Sequence, residues 1–195
     1  KLVAKKAAKI CVAYNDMDRW FPKDKIVLTG NPLRNNIKPL DDQKEECLKF
    51  FGLNPTKKTI LLVGGSQGAL GINRGISAML DTFKNNDYQM IWQTGTHYYD
   101  KAVEEVKNCG IQDRIKCTVF IDRMDMAYAA ADVVISRAGA MSISELSLLR
   151  KAVVFVPLPT AAEDHQTKNA MSLVKENAAM MVKNSETEKE LLPRV

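Results

Sequence analysis

A chain of 195 residues, 46% hydrophobic and 26% charged, has the composition of a globular protein with one sizeable core and room for an appendage. Its formal charge of +5 suits a nucleic-acid binder, a protein of membrane surfaces or an enzyme of anionic substrates without choosing among them. No apolar run approaches the roughly 20 residues of a spanning helix, and no signal-peptide pattern opens the chain. Cys11, Cys47, Cys109 and Cys117 lack C-x-x-C spacing, which favours reduced structural thiols and a cytoplasmic setting.

In chain order, LVAKKAAK (2–9) is helical in composition, KICVAY (9–14) is a short strand, NDMDRWFP (15–22) is irregular or a helical turn, and KIVLTG (25–30) is another strand. GNPLRNNIKPL (30–40) follows, with two prolines, a glycine and three asparagines, the composition of an inter-domain connector. A boundary is placed there, so that 1–33 closes one domain and begins the linker while 34–195 forms a second. DDQKEECLKFF (41–51) opens with acids suited to a helix start and ends on the stop signal FGLNP. From there one rhythm repeats. TILLV (59–63), YQMIW (88–92), IKCTVF (115–120), DVVIS (132–136), AVVFV (152–156) and AAMMV (178–182) are apolar runs separated by segments with helical spacing. Strands apolar throughout and joined by helices predict an α/β fold, a Rossmann-like parallel sheet with helices on both faces. The first residue is lysine, and KELLPRV stops within apparent helix, so both ends read as cut and the chain as a fragment.

In such sheets ligands sit beyond the carboxyl ends of the strands, which directs attention to three loops. After TILLV comes GGSQG and then ALGINRGISAMLDTF (69–83), so the amides of Gly65 through Ala69 stand at a helix start. Free amides, the positive end of the helix dipole and an absence of side chains suit an anion, with the Ser66 hydroxyl as a further donor. The stretch is neither G-x-G-x-x-G nor a P-loop ending in G-K-[ST]. A plain tight turn is the simpler account of a lone glycine pair. After DVVIS, the loop of Arg137, Ala138, Gly139 and Ala140 leads to a helix carrying Glu145, whose carboxylate could hold the two hydroxyls of a ribose. By itself Glu145 reads equally as a solvated helix residue. After AVVFV, PLPTAAEDHQTKNA (157–170) presents Glu163, Asp164, His165 and Gln166. Asp164 is a natural helix cap and His165 a natural structural histidine, yet the imidazole and amide of His165 and Gln166 also suit a hydroxyl-rich ligand.

GNPLR (30–34), GGSQGA (64–69), FIDRM (120–124), RAGAMSISE (137–145) and DHQTKNA (164–170), in this order, resemble the MurG family of N-acetylglucosaminyltransferases. Any one motif is weak; the set is specific and spans the chain. The resemblance implies a two-domain GT-B glycosyltransferase, metal-independent, without cofactor, and inverting. It moves N-acetylglucosamine from UDP-GlcNAc to the C4 hydroxyl of lipid I, giving lipid II in peptidoglycan synthesis. Residues 1–33 would end the N-terminal acceptor domain, and 34–195 would form the C-terminal donor domain, truncated at its C-terminus.

Carried over position by position, the resemblance sets Gly65, Ser66, Gln67 and Gly68 near the diphosphate and the main chain of Ile121 at the uracil edge. Ala140, Met141 and Ser142 face the diphosphate and sugar, Glu145 holds the ribose hydroxyls, and His165 and Gln166 read the GlcNAc hydroxyls. Arg34 matches an arginine near the inter-domain cleft. The family's glycine-rich, histidine-bearing acceptor motif falls outside this chain, so no residue here is named general base, and the fragment is expected to bind donor without catalysis. Lipid I and a peripheral contact with the cytoplasmic face of the cell membrane are implied through the missing domain. Nucleic acid is not expected, since no RNP-like aromatic motif or basic stripe is present and aromatic content is 7%. A UDP-GlcNAc 2-epimerase or a diacylglycerol glucosyltransferase is the alternative on the same fold; GNPLR and GGSQGA favour the transferase.

Overall fold

The computed structural model describes residues 2–13, 16–35, 37–65, 68–161 and 164–195, residue 41 as backbone alone. It divides into two compact units, Lys1–Asn35 and Asn36–Val195.

In the first unit β1 (Ile10–Val12) pairs in parallel with β2 (Ile26–Leu28), Ile10 opposite Ile26 and Val12 opposite Leu28. The helix expected over 2–9 is absent. Residues 2–6 form only a turn, with the Lys6 and Ala7 amides donating to the Val3 carbonyl at 3.0 and 3.1 Å. A segment this short does not recover the cost of helix nucleation. The Lys25 ammonium instead donates to the Lys5 and Ala7 carbonyls at 2.7 and 2.9 Å.

The second unit opens with α1 (Lys44–Phe50) and continues β3 (Lys58–Val63), α2 (Leu70–Ser77), α3 (Thr82–Asn85), β4 (Tyr88–Gln93), α4 (Tyr99–Asn108), β5 (Ile115–Thr118), α5 (Met124–Ala130), β6 (Val133–Ser136), α6 (Ala140–Leu148), β7 (Ala152–Phe155), α7 (His165–Val174), β8 (Met180–Met181) and α8 (Thr187–Glu190). All six strands are parallel, in the order β5-β4-β3-β6-β7-β8. The unit's first strand thus lies between its second and fourth, and the connections reverse direction between β3 and β6. That reversal leaves a crevice at the carboxyl ends of β3 and β6.

Period-2 alternation divides the strand side chains between two cores. Leu61, Ile91, Val134, Val153 and Phe155 pack with residues of α1, α5, α6 and α7. Ile60, Leu62, Met90, Trp92, Ile135 and Val154 pack with residues of α2, α3 and α4 and with Leu191 and Leu192. Both faces of the sheet are therefore covered, which is why the strand interiors are mainly apolar on both faces and their polar residues, such as Gln89, Gln93 and Ser136, are buried. The four cysteines are free thiols, and burial pushes the Cys117 thiol up to about 12.

The single helix expected over 69–83 is interrupted. α2 ends at Ser77, turns occupy 78–81, and α3 resumes at Thr82. Its exit tightens to a three-residue spacing, Met79 N to Ile76 O at 2.9 Å, and the Thr82 hydroxyl takes the Met79 carbonyl at 2.7 Å. α2 lies hard against α8: a Cβ on Gly75 would stand 2.7 Å from Thr187 Cβ, and the Thr187 hydroxyl donates to the Gly71 carbonyl at 2.9 Å.

Candidate functional site

Two helices begin at the crevice. Beyond β3 the chain turns through Gly65 (φ +89°) and Gly68 (φ +78°) into α2. Both angles favour glycine, for different further reasons. A Cβ on Gly68 would run into the Thr94 carbonyl oxygen, whereas one on Gly65 would meet nothing within 4 Å. The turn is closed by the Gly68 amide donating to the Gly65 carbonyl at 2.9 Å, so the Gly68 N–H is directed into the turn. Neither Ala69, ahead of α2, nor Gly139, ahead of α6, makes a side-chain cap. The first amides of these two helices have no partner within their own helices, and the positive ends of both dipoles stand at the switch point. Two such helix starts on adjacent strands make an electropositive cradle for an anion.

Glu145 lies behind the second helix start, in α6. It is 4% exposed, so the solvated-helix reading of this residue does not hold. Its Oε2 accepts the hydroxyl of the buried Tyr128 of α5 at 3.0 Å. Periodicity gives no sign of this partner, because the two residues are 17 positions apart with the whole of β6 between them.

After β5, the loop 119–123 carries the buried Ile121. The Thr118 hydroxyl donates to the Phe120 carbonyl at 2.6 Å, and Arg123 forks onto Asp125 with Nε to Oδ1 at 2.9 Å and Nη2 to Oδ2 at 2.7 Å. Arg123 holds the Asp125 carboxyl below its ordinary range. The loop beside the buried Ile121 backbone is thereby fixed at both ends.

After β7, the Arg137 guanidinium reaches across from the end of β6 and donates to the Val156 and Pro157 carbonyls at 2.9 and 3.0 Å. Burial lowers its pKa from the usual guanidinium value. Gln166 accepts the Leu158 amide on its Oε1 at 3.0 Å. Asp164 stands at the cap position of α7 with φ +53°, yet its carboxylate accepts the Thr167 hydroxyl at 2.6 Å and makes no cap to the backbone. His165, the first residue of α7, is exposed, and the Asn169 amide ties the helix to the Ala138 carbonyl at 3.3 Å.

Gly65, Gly68, Ile121, Ala140, Met141, Ser142, Glu145, His165 and Gln166 thus belong to loops or helix starts on one edge of the sheet. Arg34 belongs to the first unit, where it is exposed. Ser66, Gln67 and Glu163 lie outside the described residues. Tyr128, and the function of Arg137 as a clasp on the β7 loop, escaped the sequence reading. The signal for Arg137 was a cation directly after an apolar strand, where burial demands a partner.

Cavities of about 610 and 680 Å³ lie at the opposite edge, among the amino ends of β6 and β7. The first is lined by Val133, Val154 and Met180 and the second by Lys44, Asp132 and Lys151. Their size does not make them the site, because ligands of such sheets sit at the carboxyl ends of the strands and these cavities lie at the amino ends.

A parallel sheet in this order, with two open helix starts and a buried carboxylate at its switch point, defines the Rossmann-like class of α/β domain. The glycosyltransferase family 28 C-terminal domain matches residues 59–195. The chain belongs to that family. A Parabacteroides distasonis protein named as the UDP-N-acetylglucosamine–N-acetylmuramyl-(pentapeptide) pyrophosphoryl-undecaprenol N-acetylglucosamine transferase is 58% identical over 99% of this chain and 52% of its own length. A Bacteroides thetaiotaomicron protein of the same name is 54% identical over 98% of this chain. The chain spans about half the length of these curated relatives. The crystal structure of Acinetobacter baumannii MurG superposes with a TM-score of 0.69 at 29% identity, covering 98% of this chain and 53% of that one. The fold is that of the C-terminal domain of a GT-B glycosyltransferase. These relatives do not favour the epimerase or glucosyltransferase alternatives.

Proposed function

We propose that this chain is the donor-binding part of an inverting transferase that moves N-acetylglucosamine from UDP-GlcNAc to the C4 hydroxyl of lipid I. The observation that carries the reading is the pair of uncapped helix starts at the β3/β6 crevice with Glu145 buried beside them. The names of the relatives support this choice of donor and acceptor.

Departure of UDP places negative charge on the diphosphate. The open amides of α2 and α6, already oriented, stabilise that charge without reorganising as it develops. The Ser66 hydroxyl is a further donor to the phosphates. The Ile121 main chain reads the uracil edge, and Glu145, oriented by Tyr128, accepts the ribose hydroxyls. His165 and the Nε2 of Gln166 address the sugar, whose hydroxyls would leave buried polar groups unpaired if replaced by a poorer match. Ala140, Met141 and Ser142 line the passage from diphosphate to sugar. The acceptor hydroxyl needs a base, which falls to the part of the longer protein that also meets lipid I and the cytoplasmic membrane surface. Within the described residues no helix is long and apolar enough to cross a membrane, and such contact would be peripheral. The second unit, Asn36–Val195, corresponds in this reading to the donor domain expected over 34–195, and the first unit to the end of its neighbour and the start of the linker.

Calorimetric titration with UDP, UDP-GlcNAc and UDP-GalNAc tests the reading. UDP and UDP-GlcNAc should bind and UDP-GalNAc should bind less tightly; absence of UDP binding would remove the nucleotide assignment.

A further inference from the structure

Gln93 closes β4, a strand otherwise built from apolar side chains and the buried Gln89, and is itself only 2% exposed. Its Nε2 donates to the Gly65 carbonyl at 3.2 Å, across 28 residues of sequence. The same strand end carries a fully buried polar network. Trp92 Nε1 donates to Asn73 Oδ1 at 2.9 Å, Asn73 Nδ2 donates to the Thr94 carbonyl at 2.8 Å, and the Thr94 amide donates to the Thr118 carbonyl at 2.9 Å. β4 therefore braces α2 on one side and the end of β5 on the other, and Gln93 extends the brace to the glycine turn.

A carboxamide is an expensive residue to bury merely to fill space. What it supplies here is a second donor to a carbonyl that already accepts the Gly68 amide. Gly65 has no steric anchor of its own, with φ +89° and open space where a side chain would stand. Nothing packs against the turn at that point, and the hydrogen bonds from the Gly68 amide and from Gln93 are what hold its carbonyl. Tied to β4 in this way, the carbonyl's negative end is turned toward Gln93 and is neutralised there.

We propose that Gln93 is a positioning residue for diphosphate binding: its Nε2 holds the Gly65 carbonyl and so keeps the glycine turn in the orientation that receives an anion. The proposal rests on the nucleotide reading above, and its test separates the two.

Gln93→Met keeps length and volume but has no donor, and Gln93→Asn keeps the amide but falls short of Gly65. UDP and uridine are titrated into the 195-residue parent and into each variant, with melting temperature recorded alongside. Either folded variant should weaken UDP about five- to tenfold, as expected for one lost hydrogen bond, while changing uridine affinity less than about twofold. A merely structural role for Gln93 would lower both affinities in parallel. Parallel loss, or UDP affinity unchanged in a folded variant, overturns the proposal while leaving the nucleotide reading intact. If the parent binds uridine but gains nothing from the diphosphate, or fails to bind UDP at all, the phosphate assignment of the turn falls and the role of Gln93 falls with it.

Discussion

The turn after β3 and the loop after β7 stand two strands apart on the same edge of the sheet, and they are held in opposite ways. The first has almost no side chain of its own in its described residues. Gly68 presses on the Thr94 carbonyl, and the Gly65 carbonyl is held by a backbone amide and by Gln93 from the neighbouring strand. The second is held by long polar side chains, Arg137 on Val156 and Pro157, Gln166 on Leu158, and Thr167 on Asp164. In the proposed function the first turn meets an anion through amides; such a surface must be bare, and its rigidity is supplied from behind. The second, proposed to meet hydroxyls, carries side chains for that purpose, and those side chains also hold the loop together.

The largest effect that would break this contrast is expected at the bare turn. Gly68→Ala should destabilise the fold by about 3 kcal/mol or prevent folding, because left-handed strain adds to collision with a neighbouring strand's backbone. Gly65→Ala, with strain and no collision, should cost about 1 kcal/mol. Urea denaturation of the two variants measures the difference, and equal losses would mean that strand β4 does not wedge the turn.

Next in size is the carboxylate between the two regions. Glu145→Ala should weaken UDP binding by about 1.5 to 3 kcal/mol. Glu145→Gln keeps an acceptor for Tyr128 and should lose less. UDP affinity unchanged in Glu145→Ala would take this residue out of the ribose site.

At the β7 loop, Gln166→Ala should reduce UDP-GlcNAc affinity by about 1 kcal/mol and leave UDP nearly unaffected. Because Gln166 also holds the Leu158 amide, a small drop in melting temperature should accompany the loss. Equal weakening of both ligands would place Gln166 at the nucleotide and erase the division of labour between the two loops.

The smallest effect concerns the loop after β5. The Asp125 carboxyl is held below its ordinary 3.8 by the hydrogen bonds from Arg123. A lowered folded-state value gives stability that is present above about pH 4 and is lost as pH falls through the folded-state value. Arg123 is half exposed and solvent screens the pair, so the effect on stability is small. Urea midpoints between pH 6 and pH 3 should fall less steeply for Asp125→Asn than for the parent. An identical slope would show that the ion pair contributes nothing to the loop.

The six strands were legible because each is a short apolar run ended by turn residues, and burial on both faces leaves no polar register to confuse the reading. β5 ran two residues shorter than the apolar run IKCTVF because the Thr118 hydroxyl takes the Phe120 carbonyl just past the strand end. The break between Ser77 and Thr82 was hidden, since Leu80 and Phe83 keep helical spacing across it and both are buried. At the site, glycines and polar residues after strands could be read, because chain position alone places them at the carboxyl edge. Pairings could not. Nothing local links Tyr128 to Glu145, Gln93 to Gly65 or Arg137 to Val156, for these contacts exist only once strands distant in sequence have become neighbours in the sheet.

The contact between Thr187 and the Gly71 carbonyl spans 116 residues. During synthesis, strand β3, its glycine turn and α2 emerge early, but the face of α2 that carries Gly71 and Gly75 has no covering until Thr187 has left the ribosome. The turn proposed to receive the anion is thus among the first parts of this unit to be translated, and the helix that follows it is among the last to be packed on both sides.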